Sequence, residues 1–296
     1  MLDGISLDQL RVFIAAADEG SFSAAGRRLG RTQSVVSQTI GNLEGQIGVT
    51  LFDRSARYPK LTPEGRILIS DARAIAAGID TLKARAKGIA GGLEAELSLV
   101  VDVMFPMARL TEAVRAFARQ FPVTPLRLYV EALGAAVQPV IDGRCSLGII
   151  GSLPLMPVAM TQEKLIDIVM VMVAAHDHPL ASCSGNLAAS ALGQYIQLVL
   201  TDRSELSAGR EFGVRSPRTW RLADLGAKHA FLLSGLGFGA MPLELVAEDI
   251  AAGRLVRLAI EDMPDGQMHM PMCAFYPANA PPGPAGRWLI DRLQSG

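Results

Sequence analysis

Cysteine and histidine are scarce in this chain, and their scarcity removes several classes of function. The three cysteines, Cys145, Cys183 and Cys273, are widely separated and odd in number, so the spacing predicts neither a disulfide framework nor a zinc site. His176 and His178 stand close together, but they precede a proline and have no further clustered ligands, which favours a turn. We therefore expect a reducing compartment and no metal site.

The motifs of common catalytic centres are also missing. The chain has no GxSxG nucleophile motif, no Walker phosphate-binding motif and no recognisable Cys–His pair. The glycine-rich run 235–239 departs from the GxGxxG spacing and leads into Met241-Pro242, which argues against dinucleotide binding. We predict no catalytic residues, no cofactor and no enzymatic activity; an α/β enzyme would need a catalytic constellation, and the sequence offers none.

Long hydrophobic runs and a basic leader are lacking as well. Half of the residues are hydrophobic and 19% are charged, which is typical of a folded chain of about two domains. No segment offers about twenty uninterrupted apolar residues. The first ten residues are acidic where a signal peptide has a basic flank and an apolar run. We expect a cytoplasmic protein with no membrane segment.

The stretch 21–42 predicts two short helices joined by a tight turn. A first helix over 6–20 precedes it, with Ser6 and Gln9 as a capping box. The turn comes at Gly30, and Thr32 supplies a hydroxyl that caps the second helix. The apolar residues of that second helix recur at spacings of four, three and four: Val36, Ile40, Leu43 and Ile47.

The opposite face of the second helix carries almost no charge. Its residues are small or bear amides: Gln33, Ser34, Ser37, Gln38, Gly41 and Asn42. Such side chains pair with base edges in the major groove, so the pattern predicts a helix-turn-helix whose second helix reads DNA. Two amphipathic helices around a glycine also occur in ordinary all-α domains, so the segments that follow decide between the two interpretations.

A basic loop comes next in the chain. After the apolar anchors Leu51 and Phe52, Pro59 prevents a helix, and the loop holds polar and basic residues: Arg54, Ser55, Arg57, Tyr58 and Lys60. From residue 27 to residue 60 there are six basic residues against two acidic ones, enough for a few phosphate contacts. We interpret the loop as a wing on the DNA backbone; an ordinary solvated loop is the alternative.

A long helix with a strict apolar period begins after this loop. Thr62, Pro63 and Glu64 are a strong helix start. Apolar residues then alternate at spacings of four and three: Leu68, Ala72, Ile75, Ile79, Leu82, Ala86 and Ile89. Such a narrow seam suits pairing with another helix, so we predict a linker and dimerisation helix over 63–91. A core helix of a second domain would not explain the strict period.

Strands alternate with helices in the rest of the chain. The pattern predicts strands at 97–101, 126–130, 147–150, 168–174, 196–200, 255–259 and 270–276. Helices are expected at 106–120, 135–142, 222–232, 243–252 and 284–293. This alternation implies an α/β domain with a parallel sheet.

The chain resembles the LysR-type transcriptional regulators along its whole length. The N-terminal match is carried by Phe22, Ala24, Ala25, Leu29, Gln33, Ser34, Val36, Ser37, Ile40, Leu43, Glu44, Ile47, Gly48, Leu51, Phe52, Arg54, Leu61, Thr62 and Gly65. The C-terminal match is carried by the run 178–181, by 235–237 before Met241-Pro242, and by 253–255. The chain departs from the family pattern at Gln38, where arginine is frequent, and at Ser146, where aspartate is usual.

The resemblance implies an α/β protein with an all-α winged helix-turn-helix at its N-terminus. The domains would be residues 1–62 for DNA binding, 63–91 for the dimerisation helix and 92–296 for effector binding. The last domain would be similar to periplasmic binding proteins, with α/β subdomains of residues 92–162 plus 268–296 and of residues 163–267. The chain would cross between them near 161–165 and 266–270. A solute-binding protein without DNA function is the alternative, and it predicts a secretory signal that the sequence lacks.

The resemblance also implies partners and contact residues. A family member would bind double-stranded promoter DNA and a small-molecule effector, would contact RNA polymerase, and would form a homodimer or homotetramer. Bases would be contacted by Gln33, Ser34, Ser37 and Gln38, and Thr32 and Asn42 complete that helix face. Phosphates or the minor groove would be held by Arg31, Arg54, Ser55 and Arg57.

Candidate effector contacts follow from the predicted strands, because ligands of open α/β sheets bind outside the carboxyl ends of strands. The candidates are Asp102, Val103, Met104, Phe105, Glu131, Leu133, Gly134, Gly151, Ser152, Thr201, Asp202, Ser204, Leu236, Gly237 and Phe238. Since this set is largely apolar, with three acids and few bases, we hypothesise a neutral, aromatic or cationic effector. Ordinary packing at a strand end is the alternative for each residue.

Overall fold

The N-terminal helices begin at the capping residues that the sequence predicts. The computed structural model describes residues 4–55, 58–151, 157, 159–183, 185–261, 263 and 267–295. Its first helices are α1 (Leu7–Glu19), α2 (Phe22–Leu29) and α3 (Gln33–Ile47). Ser6 accepts the Gln9 N–H at 3.2 Å and the Gln9 side chain accepts the Ser6 N–H at 2.8 Å, which confirms the capping box. Ser21 and Thr32 cap α2 and α3.

An antiparallel hairpin and a long helix complete the first unit of the chain, which ends at Gly88. They are β1 (Phe52–Asp53), β2 (Lys60–Leu61) and α4 (Pro63–Ala90). The Thr62 hydroxyl accepts the Gly65 N–H at 2.9 Å and so starts α4 where predicted. Ile69 and Ala72 are buried in the core of this unit, so the first turns of α4 belong to it rather than to a free linker.

Three phenylalanines hold the hairpin against the helices of this first unit. Phe52 of β1 meets Phe13 edge-on at a ring-centroid distance of 5.8 Å and Phe22 at 5.2 Å. Aromatic rings favour this edge-to-face arrangement, and all three side chains are buried. These contacts fix the position of the hairpin against α1 and α2, although each of its strands has only two residues.

The second unit, which begins at Ile89, alternates strands with helices. In chain order its elements are β3 (Leu97–Asp102), α5 (Met107–Gln120), β4 (Leu126–Glu131), α6 (Gly134–Ile141), β5 (Leu147–Gly151), β6 (Met160–Ala175), α7 (Ala189–Leu192), β7 (Gln197–Leu200), β8 (Thr219–Leu222), α8 (Leu225–Leu233), β9 (Phe238–Pro242), α9 (Leu243–Ala251), β10 (Leu255–Arg257), β11 (Gln267–Pro277) and α10 (Pro284–Ser295). Across the described residues nine strands form one sheet in the order β4-β3-β5-β11-β6-β9-β7-β8, with β10 paired to β6.

The sheet is mixed, whereas the alternation of strands and helices predicted a parallel one. One half of the sheet, called the first half below, contains β4, β3 and β5, which are parallel to one another. The other, called the second half, contains β9, β7 and β8, which are also parallel to one another. β6 and β11 run antiparallel to each other between the halves, from the pair Met160–Pro277 to the pair Val171–Gln267. The chain enters the second half along β6 and returns along β11, so these long strands must have opposite directions.

Two strands of the second half were absent from the sequence prediction. The expected helix over 222–232 begins only at Leu225, because Asp224 accepts the Ala227 N–H at 2.6 Å and caps it; the residues before it form β8. The other missed strand is β9, which begins at Phe238, near the end of the glycine-rich run 235–239. A Cβ at Gly239 would lie 2.6 Å from the Leu198 carbonyl oxygen, so glycine permits the close approach of β9 to β7.

The buried apolar residues of the second unit form several cores. In the first half Phe117 of α5 and Trp288 of α10 pack with a ring-centroid distance of 6.3 Å over the buried residues of β3 and β5. In the second half Leu198 and Leu232 lie in one core, and Phe238 lies in another. Among the residues that the structure describes, no helix combines the length and apolarity needed to span a membrane.

Candidate DNA-binding surface and effector cavity

The outer face of α3 is exposed and uncharged. Gln33, Ser34, Gln38 and Asn42 are exposed, and Ser37 is half-buried. The inner face is buried in the core of the first unit through Val36, Ile40 and Leu43. The predicted division of this helix into an apolar inner face and a polar outer face is therefore confirmed.

An exposed apolar residue on this face was missed by the sequence prediction. Val35 is 44% exposed and stands between Ser34 and the buried Val36. It escaped notice because valine next to a buried valine resembles core. An exposed aliphatic group on a helix that enters the major groove can contact a thymine methyl. Thr32 caps the helix, with its hydroxyl 3.4 Å from the Val35 nitrogen.

Glu44 connects α3 to the hairpin. One carboxylate oxygen accepts the backbone N–H groups of Leu51 and Phe52 at 2.8 and 3.1 Å, and the other accepts from Arg54 at 2.7 Å. The Arg54 guanidinium also lies 5.5 Å from the centre of the Phe22 ring. Arg54 is predicted to contact a phosphate, and its ion pair with Glu44 also helps to hold the hairpin beside α3.

The other predicted phosphate contacts have different surroundings. Arg31 makes a bidentate ion pair with Asp8, in which both N–O distances are 2.7 Å. The hydrogen bond from Arg31 holds the pKa of Asp8 below the usual 3.8. The Ser55 N–H donates to the Asp53 carboxylate at 2.8 Å, which shapes the start of the loop. Arg57 lies outside the described residues. Arg31 and Arg54 remain exposed beside their partners.

A cavity of about 390 Å³ lies between the two halves of the second unit, beyond the carboxyl ends of β3 and β5. The first half contributes Asp102, Met104, Leu133 and Gly151. The second half and the crossing strands contribute Met170, Gln197, Leu198, Val199, Leu200, Glu211, Phe212, Gly213, Lys228, Ala240, Met268, His269, Met270 and Pro271. Its lining is mostly apolar with a few polar side chains, as is usual for small-molecule sites.

Two buried side chains of opposite charge line this cavity. Asp102 accepts the Met104 N–H at 2.9 Å, and burial raises the pKa of its carboxyl to about 6 despite this bond. Lys228 is 3% exposed, and burial lowers the pKa of its ammonium to about 8. The Lys228 Nζ donates to the Ala240 carbonyl oxygen at 2.7 Å. Both side chains are partly held by backbone groups rather than by each other.

The backbone at the rim of the cavity is strained at one residue. Leu133 has a φ of +50° and a ψ of −128°, and it is the one non-glycine residue of the described chain with a positive φ. This conformation favours glycine, and for leucine it costs on the order of 1–3 kcal/mol. Leu133 lines the cavity and packs into the core of the second half, which offsets that cost.

Comparison with known proteins identifies both units. Residues 7–66 match the family described as bacterial regulatory helix-turn-helix protein, lysR family, and residues 90–296 match the LysR substrate binding domain. The chain belongs to the LysR family. It is a DNA-binding transcriptional regulator, which confirms the resemblance and the expected fold class.

One relative of this LysR-type regulator supports the family assignment, and two solved structures share its fold. The chain is 31% identical over 254 residues to the probable HTH-type transcriptional regulator YhaJ of Escherichia coli K12, over 85% of each chain. It is similar in fold to a cysteine mutant of Corynebacterium glutamicum OxyR, with a TM-score of 0.58, 21% identity and coverage of 98% and 92%. Vibrio fischeri DarR in complex with DNA aligns with a TM-score of 0.50 and 17% identity over 99% of both chains.

The predicted effector residues of this LysR-type regulator divide into three groups. Asp102, Met104, Leu133 and Gly151 line the cavity. Ser152 lies outside the described residues. The remainder do not line it: Val103, Phe105, Glu131, Gly134, Thr201, Asp202, Ser204, Leu236, Gly237 and Phe238. Phe105 and Phe238 fill apolar cores instead, because large rings at strand ends are drawn inward by packing.

Several predicted residues that miss the cavity meet at another contact between the halves. Asp202 accepts the Ala135 N–H at the start of α6 at 2.7 Å, and the Ser204 hydroxyl donates to the same carboxylate at 2.7 Å. A Cβ at Gly134 would lie 2.2 Å from the Ser204 hydroxyl oxygen, so glycine is needed there. These residues tie the halves together beside the cavity rather than lining it.

The most informative residue that the sequence prediction missed is Lys228. Strand-end reasoning could not find it, because it lies within the helix α8. A signal was present, since it is the one lysine in the otherwise largely apolar run 225–233. The hypothesis of a neutral, aromatic or cationic effector was drawn from residues that did not include this buried ammonium.

Two other sequence features have structural roles. His178 accepts the Leu180 N–H at its Nδ1 atom, 3.2 Å away, and so caps a short 3-10 helix in the predicted turn. Ser146, where the family usually has aspartate, donates from its hydroxyl to the Ser98 carbonyl oxygen at 3.1 Å. The serine therefore ties the loop before β5 to the start of β3.

Proposed function

We propose that this regulator binds a two-fold promoter site as a dimer and that a small molecule in the cavity between the two α/β halves controls its activity. The observation that carries the DNA-binding part is the exposed, uncharged face of α3 next to a basic hairpin. Serine, glutamine and asparagine on such a face can read base edges, while arginines at its rim can neutralise phosphates.

The expected contacts with DNA fall into two classes. Base edges would be read by Gln33, Ser34, Ser37, Gln38 and Asn42. Val35 would make an apolar contact with the methyl group of a thymine. Glutamine at position 38, where the family often has arginine, favours adenine over guanine. Backbone contacts would come from Arg31, Thr32, Arg54, Ser55 and Arg57. Arg31 and Arg54 would share their guanidinium groups between phosphates and the carboxylates of Asp8 and Glu44.

The dimer would form through α4. Ile75 and Leu82 are 52% and 64% exposed, and they belong to the apolar seam that repeats along this helix. Exposed apolar side chains in a heptad pattern favour pairing with a second helix. The family resemblance supports assembly of two dimers into a tetramer and contact with RNA polymerase, in the cytoplasm where promoter DNA is found.

Salt dependence of binding to promoter DNA tests the function. Binding should weaken steeply as salt rises, because phosphate contacts release counterions. Gln33→Ala should lower the free energy of discrimination at one base pair by about 1–3 kcal/mol and so relax the sequence preference there. The control Gln46→Ala, at an exposed position on the last turn of α3, should have a smaller effect. Fluorescence anisotropy with a set of operator variants measures both. The assigned base contact would be contradicted if the Gln33→Ala protein bound each operator sequence with the same affinity as the wild-type protein does.

A solute-binding role without DNA is the alternative, and the features of the first unit do not favour it. Such a protein has no use for an uncharged exposed helix face held beside a basic hairpin by Glu44. The match of residues 7–66 to the regulatory helix-turn-helix family argues in the same direction.

A further inference from the structure

Lys228 is a buried cation that the protein keeps at the wall of the cavity. Its side chain extends from α8 across β9, where the absence of a side chain at Gly239 makes room for it. A Cβ at Gly239 would lie 3.2 Å from the Lys228 Cε atom. The ammonium reaches Ala240, which also lines the cavity, and donates one hydrogen bond to its carbonyl oxygen.

The hydrogen bond to Ala240 does not balance the charge of Lys228. An ammonium has three N–H donors, and a neutral carbonyl cannot balance its charge. Among the described residues, no carboxylate lies within 4.0 Å of the Lys228 nitrogen. Buried cations are costly unless they are paired, so a lysine in this position calls for an anion.

The other charged and titratable side chains of the cavity have their own surroundings. Glu211, in the loop before β8, pairs with Arg221. Asp102, at the end of β3, is held by backbone N–H groups, including that of Met104. His269 lies on β11 and is exposed. Lys228 is therefore the buried charge of the described lining that has neither an ion pair nor several hydrogen bonds.

We propose that the effector is a small carboxylate whose acid group pairs with the ammonium of Lys228. This inference rests on the proposed role of the cavity as the effector site. It replaces the neutral or cationic effector suggested by the strand-end residues, because Lys228 supplies the base that those residues lacked.

The rest of the lining defines the body of this carboxylate. Four methionines face the cavity together with one phenylalanine: Met104, Met170, Met268, Met270 and Phe212. Methionine and aromatic side chains pack against apolar groups of varied shape. The volume of about 390 Å³ is near the lower end for small-molecule sites, which span roughly 300–1,000 Å³. A single carboxylate on one ring or one short branched chain fits this lining.

Calorimetric titration of the full-length chain with acids and their amides tests the proposal. The probes are phenylacetate with phenylacetamide, and isovalerate with isovaleramide, since each amide has the shape of its acid without the charge. We expect saturable binding of at least one acid, at least about tenfold tighter than its amide. Lys228→Met should weaken acid binding by about 10- to 100-fold and amide binding by a much smaller factor, while the exposed-lysine control Lys164→Met should behave as wild type.

The ligand-free stability of Lys228→Met gives a second readout. Methionine fills the space of the lysine stem without a buried charge, so the thermal midpoint should stay level or rise. Retained acid affinity in Lys228→Met, or equal affinity for acid and amide, would overturn the carboxylate proposal while leaving the cavity as a ligand site. Failure of all four probes to bind the wild type would overturn both the carboxylate proposal and the effector role of the cavity. DNA binding, measured separately, would be unaffected by either result.

Discussion

Two buried residues of the cavity, Asp102 and Lys228, have their pKa values shifted toward each other by the same physical cause. Burial disfavours the charged form of both groups, so it raises the pKa of Asp102 to about 6 and lowers the pKa of Lys228 to about 8. Between these values both groups are charged. A cavity that contains a charged carboxylate and a charged ammonium can bind a polar ligand. The free-energy cost of burying these charges is part of folding, so ligand binding does not add it.

Asp102→Asn should change how stability depends on pH. The folded pKa of about 6 lies above the usual 3.8, so the contribution of Asp102 is fully present below pH 4 and is lost as pH rises through 6. Relative to Asp102→Asn, the wild type should therefore lose about 2–3 kcal/mol of unfolding free energy between pH 4 and pH 7, since each unit of pKa shift corresponds to about 1.4 kcal/mol. Urea unfolding at a series of pH values measures this difference.

The two tryptophans make the Asp102 measurement selective. Trp220 and Trp288 both lie in the second unit, so tryptophan fluorescence reports the unfolding of the unit that holds Asp102. The exposed carboxylate variant Asp167→Asn is the control and should show little change with pH, because solvated ion pairs contribute little. A pH-independent difference between wild type and Asp102→Asn would show that burial does not shift this carboxyl.

At the scale of elements, the position of a helix depends on how closely its backbone can approach the neighbouring chain, and two glycines of the first unit show this. A Cβ at Gly65 of α4 would lie 2.3 Å from the Leu51 carbonyl oxygen, since the start of α4 packs directly on the chain before the hairpin. At Gly45 of α3 a Cβ would meet nothing within 4 Å. The first glycine is thus needed for packing, whereas the second only weakens its helix.

Gly65→Ala and Gly45→Ala should therefore have opposite effects. Gly65→Ala forces α4 away from Leu51 and should destabilise the first unit by about 1–3 kcal/mol, a typical cost of overpacking. Gly45→Ala should stabilise it by about 0.5–1 kcal/mol through helix propensity. Thermal unfolding followed by far-ultraviolet circular dichroism measures both, and tryptophan fluorescence from the second unit should not change. Equal midpoints for the two variants would refute the close approach at Gly65.

At the scale of the whole molecule, the exposed seam of α4 determines whether the regulator acts in pairs. Ile75→Lys combined with Leu82→Lys should dissociate the dimer, because two lysines would face their copies across the helix pair. Binding to a two-fold operator should then fall toward the affinity for a single half-site. Ala84→Lys, which lies off the seam on the same helix, is the control. Sedimentation velocity and anisotropy measure assembly and binding, and an intact dimer in the double variant would exclude this seam as the interface.

The elements of the first unit could be predicted from sequence because their signals are local. Caps at Ser6 and Thr32, left-handed glycines at helix ends and the period of Val36 and Ile40 each act within one or two turns of chain. The strands β8 and β9 were missed because their pairing partners are distant in sequence. Glycine is a weak strand former by local rules, so the start of β9 at Phe238 and Gly239 is recognisable only from the close approach of β7.

Sequence by itself determined the family, the two kinds of unit and the polar face of α3, since these depend on spacing within short segments. Only the tertiary structure decided which residues share the cavity. Four of the strand-end candidates line it, while Phe105 and Phe238 turn into cores and Asp202 ties the two halves together. Lys228 reaches the cavity from a helix, because the packing of α8 on β9 brings its ammonium there. Which side chains meet at a site is a property of packing, and no local spacing encodes it.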